Sequence, residues 1–294
     1  MEKVLVTGNC GFIGHHLVKE LKKCGYHVTG IDNLTNGLRE HAALVDKFIF
    51  DDVEYINADM LKGYKHVFHL AALPRVPYSI EHPLETHDAN VNHTLSLLIA
   101  ARDAGVESFV FSSSSSVYGA IDTFPTPETA LNRPLSPYAV QKLAAEQYCE
   151  SFRHVYGLKT VSLRYFNVYG EEQPADNPYT GVITRFLQMA KEGKTLTIHG
   201  DGEQRRDFTY VGDVVAANIL TAIKGEGIYN VGNGVNYSVN EVAGAISDNV
   251  EHADARKGDP RVSLADSTRL RDLGWKPKGD MMKWLKSKSA TTTS

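Results

Sequence analysis

The stretch Thr7-Gly8-Asn9-Cys10-Gly11-Phe12-Ile13-Gly14 decides how this chain folds. It follows a short apolar run, Lys3 to Thr7. It opens a segment, Phe12 to Cys24, in which Ile13, Leu17, Leu21 and Cys24 recur on one helical face until Gly25 stops it. Strand, glycine turn and helix in that order suit a pyrophosphate. Glycines at 8, 11 and 14 permit a tight turn and let backbone N–H groups approach the phosphates, and the helix N-terminus favours their charge. The third glycine also brings the helix close to the sheet. Asp32 ends the next strand, Val28 to Ile31. A carboxylate there accepts from an adenosine ribose hydroxyl and repels a 2′-phosphate, so NAD is expected rather than NADP.

The alternation continues. Further strands are expected at Val53–Asn57, Val67–Leu70, Ser108–Ser112 and Thr160–Arg164, and helices at Asn90–Ala104 and from Ser136-Pro137 to Tyr156. Ser136 suits the N-cap, Pro137 the first turn and Gly157 the stop. The pattern predicts an α/β fold, a doubly wound parallel sheet of the Rossmann kind with a smaller substrate-binding lobe. After Phe166 the rhythm changes. Pro174–Gly181 is polar and turn-rich, Val182–Glu192 is helical, Gly200-Asp201-Gly202 turns, and the helix Val211–Lys224 returns to the first layer. Residues 1–166 and 207–232 are therefore assigned to the NAD-binding domain, and 167–206 and 233–294 to the lobe. Lys286–Ser294 is polar and expected to fray.

Composition narrows the class. With 42% hydrophobic and 22% charged residues, the 294-residue chain is an ordinary globular protein, not a disordered or fibrous one. Thirty-one basic against 35 acidic groups give a net charge of −4, which supplies no bulk attraction to nucleic acid or anionic lipid. No apolar run approaches the roughly 18 residues of a membrane span. Met1, Glu2 and Lys3 lead straight into a strand, so no signal peptide is expected. Cys10, Cys24 and Cys149 are too few and scattered for a disulfide framework and fit the cytoplasm. His82, His87 and His93 lack metal-binding spacing, so no metal is expected.

Tyr138 and Lys142 are four residues apart and share a helix face. A free tyrosine ionises near ~10, too high for a base at neutral pH, but a nearby ammonium or nicotinamide cation favours the phenolate. The serine run Ser112 to Ser116, followed by Val117-Tyr118-Gly119, sits just past a strand's C-terminal end, where open α/β sheets bind ligands. Arg205, Arg206, Arg256 and Lys257 lie among Gly and Asp turns, and Asn167 follows Arg164-Tyr165-Phe166. Guanidinium groups are apt donors for a diphosphate.

These motifs, with Asp32-Asn33-Leu34, His69-Leu70-Ala71-Ala72 and Arg164-Tyr165-Phe166-Asn167-Val168-Tyr169-Gly170, resemble the extended short-chain dehydrogenase/reductases. Within them the chain looks like the nucleotide-sugar 4-epimerases of the UDP-glucose and UDP-N-acetylglucosamine types. The resemblance implies that Gly8, Gly11, Phe12, Ile13 and Gly14 hold the NAD pyrophosphate, and Asp32 and Asn33 the adenosine ribose. It places Asp59 and Met60 beside the adenine, Leu70, Ala71, Ala72 and Asn90 along the cofactor, and Ser112 and Phe166 near the nicotinamide end. Ser114, Tyr138 and Lys142 would be catalytic. Asn167, Val182, Arg206, Arg256 and Asp259 would seat the nucleotide sugar, with Ser115 and Ser116 beside it.

Three departures bear on the reaction. Related 4,6-dehydratases carry an Asp-Glu pair where Ser115 and Ser116 stand, which disfavours dehydration and decarboxylation. Ser263 stands where some hexose-only relatives carry a bulky Tyr, leaving room for an N-acetyl group. Arg75 could recruit a sugar carboxylate, which keeps a UDP-glucuronate 4-epimerase open. The resemblance also implies a homodimer through the helices Asn90–Ala104 and Pro137–Tyr156. An NAD-sensing regulator is disfavoured by the presence of both Tyr138 and Lys142.

Overall fold

The computed structural model describes residues 1–175, 181–255 and 261–289. The first half runs β1 (Lys3–Thr7), α1 (Phe12–Lys23), β2 (His27–Ile31), β3 (Lys47–Ile49), α2 (Ala58–Leu61), β4 (Tyr64–His69), α3 (Val76–Glu81), α4 (Pro83–His87), α5 (His93–Asp103), β5 (Ser108–Ser114), α6 (Pro137–Tyr156) and β6 (Thr160–Tyr165). Then follow β7 (Val168–Tyr169), α7 (Val182–Lys191), β8 (Leu196–His199), β9 (Arg205–Asp207), β10 (Thr209–Tyr210), α8 (Val211–Lys224), β11 (Gly227–Val231), β12 (Asn236–Ser238), α9 (Val239–Gly244), β13 (Val250–Ala253), α10 (Thr268–Asp272) and α11 (Met281–Ser289).

Seven strands form one parallel sheet in the order β3-β2-β1-β4-β5-β6-β11. From β1 the chain proceeds outward first on one side and then on the other. That reversal leaves a crevice at the C-terminal ends of β1 and β4. Strand side chains alternate between faces, so Val4 and Val6 enter one core and Leu5 the other. The first core holds Leu17, Val18 and Leu21 of α1 against Val214 and Val215 of α8, which is the return to the first layer that the sequence suggests. The second packs Leu97 and Leu98 of α5 on Ala145, Cys149 and Phe152 of α6. A third, separate core joins Ile183 and Phe186 of α7, Leu196 and Ile198 of β8, Val242 of α9 and Leu285 of α11.

The strand expected at Val53–Asn57 does not form. Val53–Tyr55 is a tight 3-10 turn in which the Asp52 side chain accepts from Glu54 N, and Asn57 then caps α2 by accepting from Met60 N. The third strand lies earlier, at Lys47–Ile49, paired with β2. The helix expected from Asn90 starts at His93, because Asp88–Asn92 makes a π-helical turn. Of the segment Lys286–Ser294 expected to fray, Lys286–Ser289 continue α11, and residues 290–294 lie outside the described residues. Among the described residues no helix is long and apolar enough to cross a membrane.

Candidate active site

A cavity of about 370 Å³ opens where β1, β2 and β4 end. Its floor is the glycine turn, and close packing dictates those glycines. A Cβ on Gly14 would stand 2.0 Å from the Gly8 carbonyl oxygen, and one on Gly8, at φ +68°, would stand 2.8 Å from Ala71 N. Phe12 and Ile13 open α1, where the first N–H groups have no carbonyl within the helix to bond, and no side chain caps that end. A pyrophosphate fits such a cradle. Asp32 and Asn33 line the adjoining wall. The Asp32 carboxylate accepts from Cys10 N at 2.9 Å and Leu34 N at 2.8 Å, and each oxygen keeps a further lone pair for a ribose hydroxyl. Burial pushes its carboxyl above the ordinary range, and the two backbone donors pull it back.

Leu70, Ala71 and Ala72 form the opposite wall. Thr7 Oγ1 fastens them to β1 by accepting from Leu70 N and Ala71 N. Asn90 lies behind this wall rather than on it. Its side chain accepts from Leu73 N, donates to the Leu73 carbonyl and donates to Gln141 of α6. Asp59 and Met60 are away from the cavity. Asp59 is exposed on α2 and pairs with Lys62, while Asp51, Asp52 and Val53 line the position after β3. The earlier position of the third strand explains this difference, since the acidic residues that follow β3 are Asp51 and Asp52.

At the far end of the cavity stand Ser112, Tyr138 and Lys142. Ser136 caps α6 by accepting from Ala139 N, and Ser79 Oγ accepts from Tyr138 N, so the helix start that carries the tyrosine is held twice. Lys142 is buried. It donates to the Ser112 carbonyl at 2.8 Å and sits 4.7 Å from the centre of the Phe111 ring. Burial lowers its ammonium to about 7 and raises the Tyr138 phenol to about 12, the latter opposed by a hydrogen bond with the Ser114 side chain. Ser114 also accepts from Ser116 N, and the buried Ser116 hydroxyl makes no hydrogen bond. Ser115 and Ser116 begin a 3-10 turn and offer no carboxylate. Behind the run, Ser113 donates to Glu146, which forms a fully buried pair with Arg164.

A second cavity of about 550 Å³ adjoins the first, sharing Pro74, Gln173 and Gly181 as wall. Asn167, Val182 and Arg206 line it. Asn167 donates to the Asp207 carbonyl and Arg206 to that of Arg205. Phe166 is buried against Tyr118 and lines neither cavity. Ser263 N donates to the Arg205 carbonyl, and its buried hydroxyl is without a partner. Arg75 lines the first cavity, hydrogen-bonded to Asn36 in the loop after β2. Arg256, Lys257 and Asp259 lie outside the described residues, as do residues 176–180. Sequence reasoning missed Asn36, Asp52, His93, Gln173 and Gln204 as wall residues. For Asn36 and Asp52 a signal existed, their place just past a strand end.

A doubly wound sheet with a dinucleotide cradle leading to a tyrosine–lysine pair defines an enzyme site of the hydride-transferring class. Comparison with known proteins agrees. The model of the NAD dependent epimerase/dehydratase family matches residues 4–232. The UDP-glucose 4-epimerase of Mycolicibacterium smegmatis is 39% identical, over 94% of this chain and 93% of its own. The solved UDP-N-acetylglucosamine 4-epimerase from Methanobrevibacter ruminantium M1, in complex with UDP-N-acetylmuramic acid, superposes with a TM-score of 0.93 at 38% identity, covering 99% of this chain and 97% of that one. The UDP-glucose 4-epimerase of Thermus thermophilus in complex with NAD gives 0.90 at 36%, with 99% of each chain covered. The chain belongs to the NAD-dependent epimerase/dehydratase family, and its cofactor is NAD.

Proposed function

We propose that this enzyme inverts C4 of a UDP-hexose, interconverting the glucose and galactose forms and accepting the N-acetylhexosamine pair. The observation that carries the reading is that Tyr138, hydrogen-bonded with Ser114, and Lys142 line the dinucleotide cleft, which the second cavity adjoins. Bound NAD supplies a reversible acceptor for the hydrogen on C4. Tyr138 Oη takes the proton of the sugar 4-hydroxyl and gives it back, while Ser114 Oγ holds the same oxygen. Lys142 opposes the cost of a buried phenolate. Asn167 and Arg206 hold the diphosphate, with Val182 beside it, so that the oxidised sugar stays tethered while it turns its other face.

Ser115 and Ser116 support epimerisation over water loss, because a hydroxyl cannot serve as the acid and base that dehydration needs. The short side chain of Ser263 supports an N-acetyl substituent. The loss of proton and hydride is reversed within each cycle, so no reductant is consumed. Exposed Ile99 on α5 and Val140 and Val155 on α6 support a homodimer through these helices, and the free cysteines support a cytoplasmic enzyme.

Proton NMR of the purified chain with UDP-glucose, UDP-N-acetylglucosamine and UDP-glucuronate, each separately, tests the reading. Anomeric signals of the 4-epimer from the first two are expected. Epimerisation of the glucuronate alone would move the assignment to the uronate, and released carbon dioxide or a shifted keto sugar would overturn it.

A further inference from the structure

Three residues from distant segments meet behind the glycine turn, and none of them lines either cavity. We infer that His15, His41 and Glu172 form a binding site for a divalent transition-metal ion of the zinc type.

The ligand geometry is present. One ring nitrogen of His15, one of His41 and a Glu172 carboxylate oxygen all lie within 4.8 Å of one another. Glu172 Oε2 is 2.9 Å from His15 Nε2 and 3.8 Å from His41 Nε2. A tetrahedral ion with bonds of about 2.0–2.1 Å holds its ligand atoms about 3.3 Å apart, between those two separations. The imidazoles stack with centroids 3.9 Å apart at 22°, so binding splays them slightly to aim both lone pairs at one point.

The protonation pattern is that of ligating histidines. A carbonyl oxygen can only accept, so His15 Nδ1 donates to Gly11 O at 2.9 Å and His41 Nδ1 donates to Cys10 O at 3.0 Å. A backbone bond of this kind fixes the tautomer that leaves Nε2 free to bind a metal.

The second observation is an orphaned atom. His15 is fully buried, and its Nε2 makes no hydrogen bond. With Nδ1 donating to the Gly11 carbonyl, the Nε2 lone pair faces a Glu172 carboxylate oxygen at 2.9 Å. A buried acceptor in that state calls for a cation. Lys19 bonds both Glu172 oxygens but gives nothing to His15 Nε2. Nor does His16 reach it, since its Nε2 is engaged with the Glu171 carbonyl. Glu40 Oε1, 4.0 Å from His41 Nε2 on a well-exposed side chain, can swing in as fourth ligand, as can water.

The site would join the cofactor turn, through His15 and the Cys10 and Gly11 carbonyls, to the segment whose Gln173 walls both cavities. Spacing along the sequence conceals it, because each ligand comes from a different segment.

Titration of the metal-stripped full chain with Co²⁺, followed by its visible ligand-field absorption and by competition with Zn²⁺, tests the inference. One equivalent is expected to bind. Glu172→Gln and His41→Asn, which leave the buried His15 in place and whose folding is checked by circular dichroism, are each expected to weaken binding at least about tenfold. Lys19→Met is expected to tighten it by freeing Glu172, and His154→Asn, on exposed α6, to leave it unchanged. A wild-type chain that takes up no Co²⁺, or ligand variants that bind as tightly as wild type, overturns it.

Discussion

Lys142 Nζ lies 6.0 Å from the centre of the Tyr138 ring, one helical turn away on the same face of α6. Its hydrogen bond to the Ser112 carbonyl fixes it there. A buried ammonium and a buried phenol of this kind each resist charge alone. Burial therefore holds the ammonium low and the phenol high, and a charge on either one favours the opposite charge on the other across this single turn.

Tyr138→Phe removes the hydroxyl and keeps the ring. Turnover is expected to fall about 10²–10⁴-fold. NAD binding is expected to stay near wild type, because the glycine cradle is untouched. Epimerisation rates by NMR and NAD retention through gel filtration measure the two effects, and near-normal turnover would remove Tyr138 from the chemistry.

Lys142 ties stability to pH. Its folded pKa of about 7 lies below the ordinary 10.5, so between those values the unfolded chain holds a proton that the folded chain lacks. That contribution to stability rises with pH through this window and is fully lost below it. Lys142→Met is expected to flatten the rise. Melting temperatures of both proteins across the window give the readout, the variant gaining most at the acid end. A constant gap between the curves would contradict the burial argument.

Asp32→Ala is expected to weaken NAD and to shift the NAD-to-NADP preference toward NADP about tenfold or more, since one charged hydrogen bond is worth about 1.5–3 kcal/mol. Cys10 N and Leu34 N lose their acceptor in the same variant. Dissociation constants for the two dinucleotides measure it, and an unchanged ratio would mean that another group reads the ribose.

Glu146→Gln leaves Arg164 buried with an uncompensated charge. The expected cost is about 3–5 kcal/mol in denaturant unfolding, whereas the double change Glu146→Leu with Arg164→Met is expected to recover most of it. Equal losses in the single and double variants would show that the Ser113 and Glu128 contacts matter more than the ion pair.

The parts of the site that are legible in sequence are local ones. The glycine turn, Asp32 and the Tyr138–Lys142 pair each sit within one strand–turn–helix unit or one helical turn, so spacing alone specifies their geometry. The third strand is not legible in the same way, because Val53–Asn57 has strand-like apolar content while the Asp52 and Asn57 side chains cap turns there. The same displacement carries the adenine-side expectation to Asp59 and Met60. Asn90 is expected along the cofactor, yet it braces the loop from behind through Leu73 and Gln141. Arg164 with Glu146 and the gathering of His15, His41 and Glu172 depend on tertiary juxtaposition, which no window of sequence contains.

Pro74, Gln173 and Gly181 each present themselves to both chambers. A partition with two faces makes the rooms thermodynamic neighbours. Whatever factor a seated sugar nucleotide changes the coenzyme's grip by, the coenzyme must return to the sugar nucleotide in equal measure. A catalyst that reuses one coenzyme molecule through many cycles is well served by such reciprocity, since its guest and its resident hold each other in place.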